Sequence, residues 1–216
     1  IATLFYSAAA WTSQARGYAH IAAWLSIIPV TIAWRTYGFT FTYLEFVIPW
    51  LLWATVLIGI GFALDKSKVR YAHGPYLAGY TLSGYALLVS VTDRITNIYA
   101  LAITIALALI SHFAVHYGRH HTYEDFIFKF WYKVDETTKQ IVSTFFLFFA
   151  AYTIPVLLTQ ILAHMEYPLA WRGVWLAISA PLYIAVGLFV SKSKSRSLAT
   201  VPTWALYSAG YALTAI

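Results

Sequence analysis

Charged residues divide this chain into seven long uncharged runs, at 17–34, 46–64, 71–92, 95–118, 140–165, 173–190 and 197–216. Wound as α-helices at about 1.5 Å per residue, all seven are long enough to cross a hydrocarbon core roughly 30 Å thick. No other feature narrows the fold as much, because a chain in lipid must satisfy its backbone internally, and only helices or closed barrels do so. A barrel would need alternating segments of about ten residues; "ALAITIALALI" and "STFFLFFAAYTIPVLL" run apolar without alternation. The expectation is an all-α polytopic protein of about seven transmembrane helices. The first is the weakest, because only 20–34 within it is densely apolar. A mean hydropathy of +0.68 with 10% charged residues lies outside the soluble range and agrees with that class.

The net charge of +6 does not point to nucleic acid, because the basic residues stand at the ends of the runs and not along one face. Eleven of the 14 Lys and Arg residues fall on one side of the predicted membrane: Arg16, Lys66, Lys68, Arg70, Arg119, Lys129, Lys133, Lys139, Lys192, Lys194 and Arg196. Arg35, Arg94 and Arg172 fall on the other. By the positive-inside bias the first group is cytoplasmic, and the N-terminus with it, in what reads as a bacterial inner membrane. Lys66, Lys68, Arg70, Arg119, Lys192, Lys194 and Arg196 are then topology anchors held by anionic lipid. Cysteine is absent, which leaves no disulfide, no thiolate metal site and no Cys nucleophile. The chain opens on Ile without the charged start of a signal peptide and closes on "GYALTAI" inside an apolar run, so the sequence predicts a piece of a longer protein.

Sliding the sequence against itself by 126 residues aligns Tyr6 with Tyr132, Thr12 with Thr138, Gln14 with Gln140, and the "IPV" at 28–30 with the "IPV" at 154–156. Further along, Gly61 meets Gly187, "KSKVR" at 66–70 meets "KSKSR" at 192–196, and "GYAL" at 84–87 meets "GYAL" at 210–213. A basic patch and a small-residue helix motif in one register predict a supersecondary unit copied in tandem. One unit holds four spans, an even number, so the second copy enters the membrane in the same direction and the repeat is parallel, unlike the inverted repeats of many transporters. The first unit covers 1–126, of which 1–13 is equally read as the end of a preceding unit. The second covers 127–216 and lacks its fourth helix.

A Pro-containing span, a span closing on a basic loop, "YLAGYTLSGYALL", a short "TDR" turn and "YALAITIALALISHFAVHYGR" follow one another in this order. The order resembles large uncharacterised bacterial membrane proteins built from repeated Leu/Ala-rich helix quartets. The resemblance implies the helical repeat architecture and brings no activity with it. The longest polar excursion, 118–139, has "FIFKFWYKV" at its middle; aromatics interleaved with Lys predict an amphipathic helix at headgroup level.

Residues able to carry chemistry are few. Pro29 and Pro155 each sit inside a span, where proline frees a carbonyl one turn earlier and fixes a kink. Gly79, Gly84 and Gly210, with small neighbours, favour close helix contact. Most of the nine tryptophans fall near predicted interfaces, as an aromatic belt does. The sharpest constellation is "SHFAVHYGRHH". In it His112, His116 and His120 recur every fourth residue and share one helical face, with His121 beside them. Two imidazoles at that spacing can hold one metal ion, and a single intramembrane histidine can ligate a haem or a (bacterio)chlorophyll, so His112 and His116 are the candidate cofactor ligands. The string is also similar to the HxxxH and HxxxHH boxes of membrane fatty-acid desaturases, with the two boxes sharing His116 and the remaining box absent from this chain. Against a ligand role, His120, His121 and Arg119 form a cationic helix end, while His112 and His116 hydrogen-bond to a neighbouring helix. The second is the reading taken, with no cofactor and no metal required.

No Asp, Glu, Lys or Arg is predicted in the middle of a span, where ion-coupled transporters place one. The last run has no lysine for a Schiff base, and no Ser/His/Asp or phosphate-loop pattern is present. The functional expectation is a non-catalytic membrane scaffold or accessory subunit with no catalytic residue, whose partners are the bilayer and other membrane protein subunits. The alternatives are a transporter or lipid-handling protein, and a haem-, chlorophyll- or metal-binding redox or pigment protein using His112 and His116.

Overall fold

The computed structural model describes residues 1–13, 16–37, 43–66, 73–117, 136–191, 206 and 208–210, which are helix and turn without a strand. The elements are α1 (Ala2–Ser13), α2 (Arg16–Thr36), a 3-10 turn (Tyr43–Phe46), α3 (Val47–Lys66), α4 (His73–Ser90), α5 (Arg94–Tyr117), α6 (Glu136–His164) and α7 (Leu169–Ser191). Residues 206 and 208–210 are helical as well. Hydroxyl side chains along these helices donate to carbonyls one turn back: Thr31 to Ile27, Thr55 to Leu51 and Thr159 to Pro155, each at 2.8–2.9 Å. A hydroxyl satisfied within its own helix can be carried into lipid without an orphaned donor.

Five helices are long and apolar enough to cross a membrane: Gly17–Thr36, Val47–Leu64, Arg94–Phe113, Val142–His164 and Leu169–Leu188. That is the signature of an integral membrane protein. The sequence reading predicts seven. Of the other two runs, 197–216 lies mostly outside the described residues, and 71–92 contains α4. That helix falls short in apolarity because Gly, Ala, Ser and Tyr take places that Leu or Ile would hold on a lipid-facing helix. Its surface explains the choice: Ala78 and Ala86 are fully buried, and Tyr76, Leu82 and Ser83 nearly so. A helix face packed against protein needs small residues for close approach more than it needs large apolar ones. The predicted interfacial helix at 118–139 lies outside the described residues as far as 135; residues 136–139 begin α6.

The described residues form two compact units, one over Ile1–Ala100 and the other over 101–117 and 136–210. The contact boundary falls inside α5, whereas the predicted copy boundary falls at 126.

In the first unit, α2, α3 and α4 lie side by side. Thr31 and Ser26 of α2 meet Trp50 and Trp53 of α3, so the two helices run antiparallel. Along α4, Tyr76 meets Gly61 and Gly79 meets Ile58 and Ala54, while the Tyr85 ring lies tilted against Trp50. As α4 advances, its contacts move back along α3. Ala23, Leu57 and Ala78 form the apolar core between the three helices, with Trp53 against it. The helices approach where glycine permits: a Cβ on Gly74 would lie 2.9 Å from the Ala19 backbone of α2, and one on Gly61 would lie 2.7 Å from the Tyr76 ring. At its start, α1 lays the Tyr6 ring beside Tyr18 of α2, 6.1 Å between centroids.

In the second unit, Ile105 and Ala108 of α5 close on Ala150 of α6, ringed by Leu109, Phe146, Phe149 and Leu157. The α6–α7 connection is a tight Schellman turn. Tyr167 N–H donates to Leu162 O and Glu166 N–H to Ala163 O, with Glu166 in the left-handed region at φ 60°. Near the end of the described residues, Gly210 sits against α7, where a Cβ would lie 2.9 Å from Ile184 Cγ1 and 3.1 Å from Ala180 O.

Candidate functional site

The His112 region is the one place where a sequence-predicted site residue can be followed to its surroundings. His112 lies in the last turns of α5, 8% exposed, beside the fully buried Ser111 and opposite Ser143 of α6. Its Nδ1 is 2.8 Å from the Ser143 carbonyl oxygen and 2.9 Å from Ser143 Oγ. A carbonyl can only accept, so Nδ1 carries the hydrogen, and in the neutral ring the lone pair belongs to Nε2. The Ser143 hydroxyl in turn donates to the His112 carbonyl at 3.4 Å. The Phe113 ring stands edge-on at 5.3 Å. A haem or chlorophyll ligand uses this tautomer, with the other nitrogen held by a backbone acceptor. In this structure His112 is 8% exposed, with its Nδ1 edge against Ser143 of α6. The Nδ1 contacts make a bond that fastens α5 to α6.

His116 lies one turn further along α5, with its side chain outside the described residues. Lys66 is the last residue of α3. The other topology anchors, Lys68, Arg70, Arg119, Lys192, Lys194 and Arg196, lie outside the described residues. Among the described residues no three His, Cys, Asp or Glu side chains gather as a metal site.

Two hydroxyls of α2 join helices in the same manner. Ser26 donates to Ala23 O at 2.6 Å and accepts the Trp53 indole N–H at 2.9 Å. Thr31 donates to Ile27 O and accepts from Trp50 Nε1 at 3.0 Å. Each hydroxyl uses its hydrogen on its own helix and its lone pair on the next, so neither indole is left with an unmet donor there. Trp50 also stacks with Phe46, 5.6 Å away, and packs near Tyr85 at 5.5 Å.

Pro155 supplies the clearest cause and effect. Lacking an N–H, it leaves the carbonyl of Ala151 without the usual bond from four residues on. Tyr183 of α7 donates its hydroxyl to that carbonyl at 2.9 Å. The freed acceptor is predictable from the sequence; the donor is not, because nothing in the spacing of Tyr183 announces which carbonyl lies opposite.

At the α4–α5 turn, Asp93 caps α5. Its carboxylate accepts the Thr96 N–H at 2.8 Å, and its carbonyl accepts from Asn97 at 2.8 Å. The hydrogen bonds from the Thr96 side chain and then from its backbone N–H hold Asp93 below the usual carboxylate range. Asn97, the single asparagine of the chain, donates from Nδ2 to Ser90 Oγ at 2.9 Å in a fully buried contact. Sequence reasoning passed over Ser143, Tyr183, Asn97 and Ser90. Only Asn97 carried a signal, as a lone amide near the start of an apolar run. No known protein family, curated protein or solved structure matches this chain.

Proposed function

We propose that the protein is a non-catalytic membrane scaffold or accessory subunit of a larger membrane assembly. One observation carries the reading: five polar pairs along the helices join helix to helix, at His112–Ser143, Asn97–Ser90, Trp50–Thr31, Trp53–Ser26 and Tyr183–Ala151. Groups used in this way build a rigid frame and leave its outer faces apolar. The face of α7 is the broadest example, with Trp171, Trp175, Ile178, Leu182 and Val186 exposed and only 11% of the Leu169–Leu188 span buried. Lipid covers such a face in isolation, and other membrane subunits cover it in an assembly.

The finer organisation belongs to the same proposal. Seven spans stand in two parallel copies of a four-helix unit, the second without its fourth helix, in a bacterial inner membrane with the N-terminus and the basic loops on the cytoplasmic side. The antiparallel course of α4 along α3 supports counting α4 as a span, since a helix that follows a crossing neighbour crosses with it. Native electrophoresis tests the function. From its own membranes the chain should migrate in a complex of fixed stoichiometry, and reconstituted alone it should migrate as a smaller species. Equal mass in both preparations, or a visible absorption band lost on replacing His112, would sink the scaffold reading.

A further inference from the structure

We infer that Ala54 with Ile58 on α3, and Ala180 with Ile184 on α7, are two copies of one helix-docking notch, and that the helix seated in the second is the segment containing Gly210. The inference rests on the repeat proposed above and changes its register. A Cβ on Gly79 would lie 2.7 Å from Ile58 Cγ1 and 2.9 Å from Ala54 O; a Cβ on Gly210 would lie 2.9 Å from Ile184 Cγ1 and 3.1 Å from Ala180 O. Both glycines thus face the same two atom types of an alanine and the isoleucine one turn later. Burial agrees: Ala54 and Ala180 are both at 0% exposure, and the alanines preceding the two glycines, Ala78 and Ala209, are at 0% and 1%.

Ala180 and Ile184 stand 126 positions after Ala54 and Ile58, as the repeat predicts, whereas Gly210 stands 131 positions after Gly79. The residue 126 positions before Gly210 is Gly84, which is exposed and has nothing within 4 Å of a Cβ. The sequence carries the shifted register: "YLAGYTL" at 76–82 and "YSAGYAL" at 207–213 agree at both tyrosines and at Ala, Gly and Leu. The basic patches at 66–70 and 192–196 keep the spacing of 126. The five additional residues therefore fall between the second patch and its glycine helix. The docking chemistry is a glycine whose backbone lies on a carbonyl and an isoleucine, the close approach that membrane helices use in place of a hydrophobic drive.

Thermal melting of the full chain in detergent tests this. Gly79→Ala and Gly210→Ala should each lower the melting temperature by several degrees, and Gly84→Ala should not lower it. Ile58→Ala should recover part of the loss from Gly79→Ala, and Ile184→Ala part of the loss from Gly210→Ala. If a single alanine variant yields no folded protein, recovery of folding in the corresponding double variant supports the inference and continued failure overturns it. A Gly210→Ala variant that melts like the wild type, or a Gly84→Ala loss equal to that of Gly79→Ala, overturns it as well. None of these outcomes alters the mass of the native complex, so the scaffold reading stands or falls separately.

Discussion

Proline in a membrane helix is read most often as a hinge, but at Pro155 the residue-level chemistry points to a fixed joint. The carbonyl that Pro155 releases, Ala151 O, receives the Tyr183 hydroxyl from the next helix. Tyr183→Phe should therefore cost roughly 1 kcal/mol, the scale of one hydrogen bond between membrane helices. Pro155→Ala restores a backbone N–H to the same carbonyl, so in that background Tyr183→Phe should cost much less. Additive losses in the four-variant cycle would show that the hydroxyl acts elsewhere. His112 works by the same logic. A glutamine at that position can still donate to Ser143 O, so His112→Gln should leave expression and assembly largely intact, while His112→Ala should lower stability by about 2 kcal/mol or more through the lost bond and the cavity. Equal damage from both variants would mean that the imidazole does something a donor cannot replace. The hydrogen-bonding role of His112 was legible from its depth in the apolar run. Ser143 was not, because one Ser among many on an apolar helix looks alike until the facing helix is in place.

At the scale of the element, helix positions were legible because charge stops a lipid-buried run: the run at 46–64 became Val47–Lys66, and the run at 95–118 became Arg94–Tyr117. The caps were less so. Asp93 was read as part of a short turn, and its Thr96 contacts make it the N-cap of α5. Asp93→Ala should destabilise the α4–α5 hairpin by about 1 kcal/mol. The carboxyl is held below its ordinary range in the folded chain, so the unfolded chain takes up its proton first as the pH falls. The cap's contribution is therefore full above the ordinary carboxylate range and is lost as pH falls through the lowered folded value. Acid titration of stability should be flatter in Asp93→Ala than in the wild type; an unchanged acid limb would rule out the cap as its source. The α6–α7 turn gives the opposite kind of prediction. Glu166 holds a left-handed conformation that glycine adopts without strain. After the greater entropy of glycine in the unfolded chain is subtracted, Glu166→Gly should stabilise by about 0.5–1 kcal/mol. A loss of stability instead would mean that the Glu166 side chain holds the turn.

For the molecule as a whole, the membrane class was legible from run lengths alone; run length counts seven spans and helix apolarity counts five, and α4, with its small-residue face against α2 and α3, is one of the two on which they differ. The two counts differ in a way that can be measured. If α4 crosses, Thr92 lies on the opposite side of the membrane from Ser67, and the alternation continues so that Ser67, Thr137 and Ser193 share the cytoplasmic side. If α4 does not cross, Thr92 and Ser67 lie on the same side and every later loop changes sides. The packing favours the first arrangement: contacts from Tyr76 with Gly61 through Gly79 with Ala54 to Tyr85 with Trp50 keep α4 beside α3 over residues 76–85, about 15 Å of helix. The eleven-to-three bias of basic residues favours it too, since the basic loops share a side only when α4 is counted. The chain has no cysteine of its own, so single cysteines at Ser67, Thr92, Thr137 and Ser193 report without background. An impermeant thiol reagent applied to the outside of intact cells should label Thr92→Cys and leave the other three unlabelled until the membrane is opened. Protection of Thr92→Cys together with labelling of Thr137→Cys would remove α4 from the membrane, and with it the four-helix parity on which the parallel repeat depends.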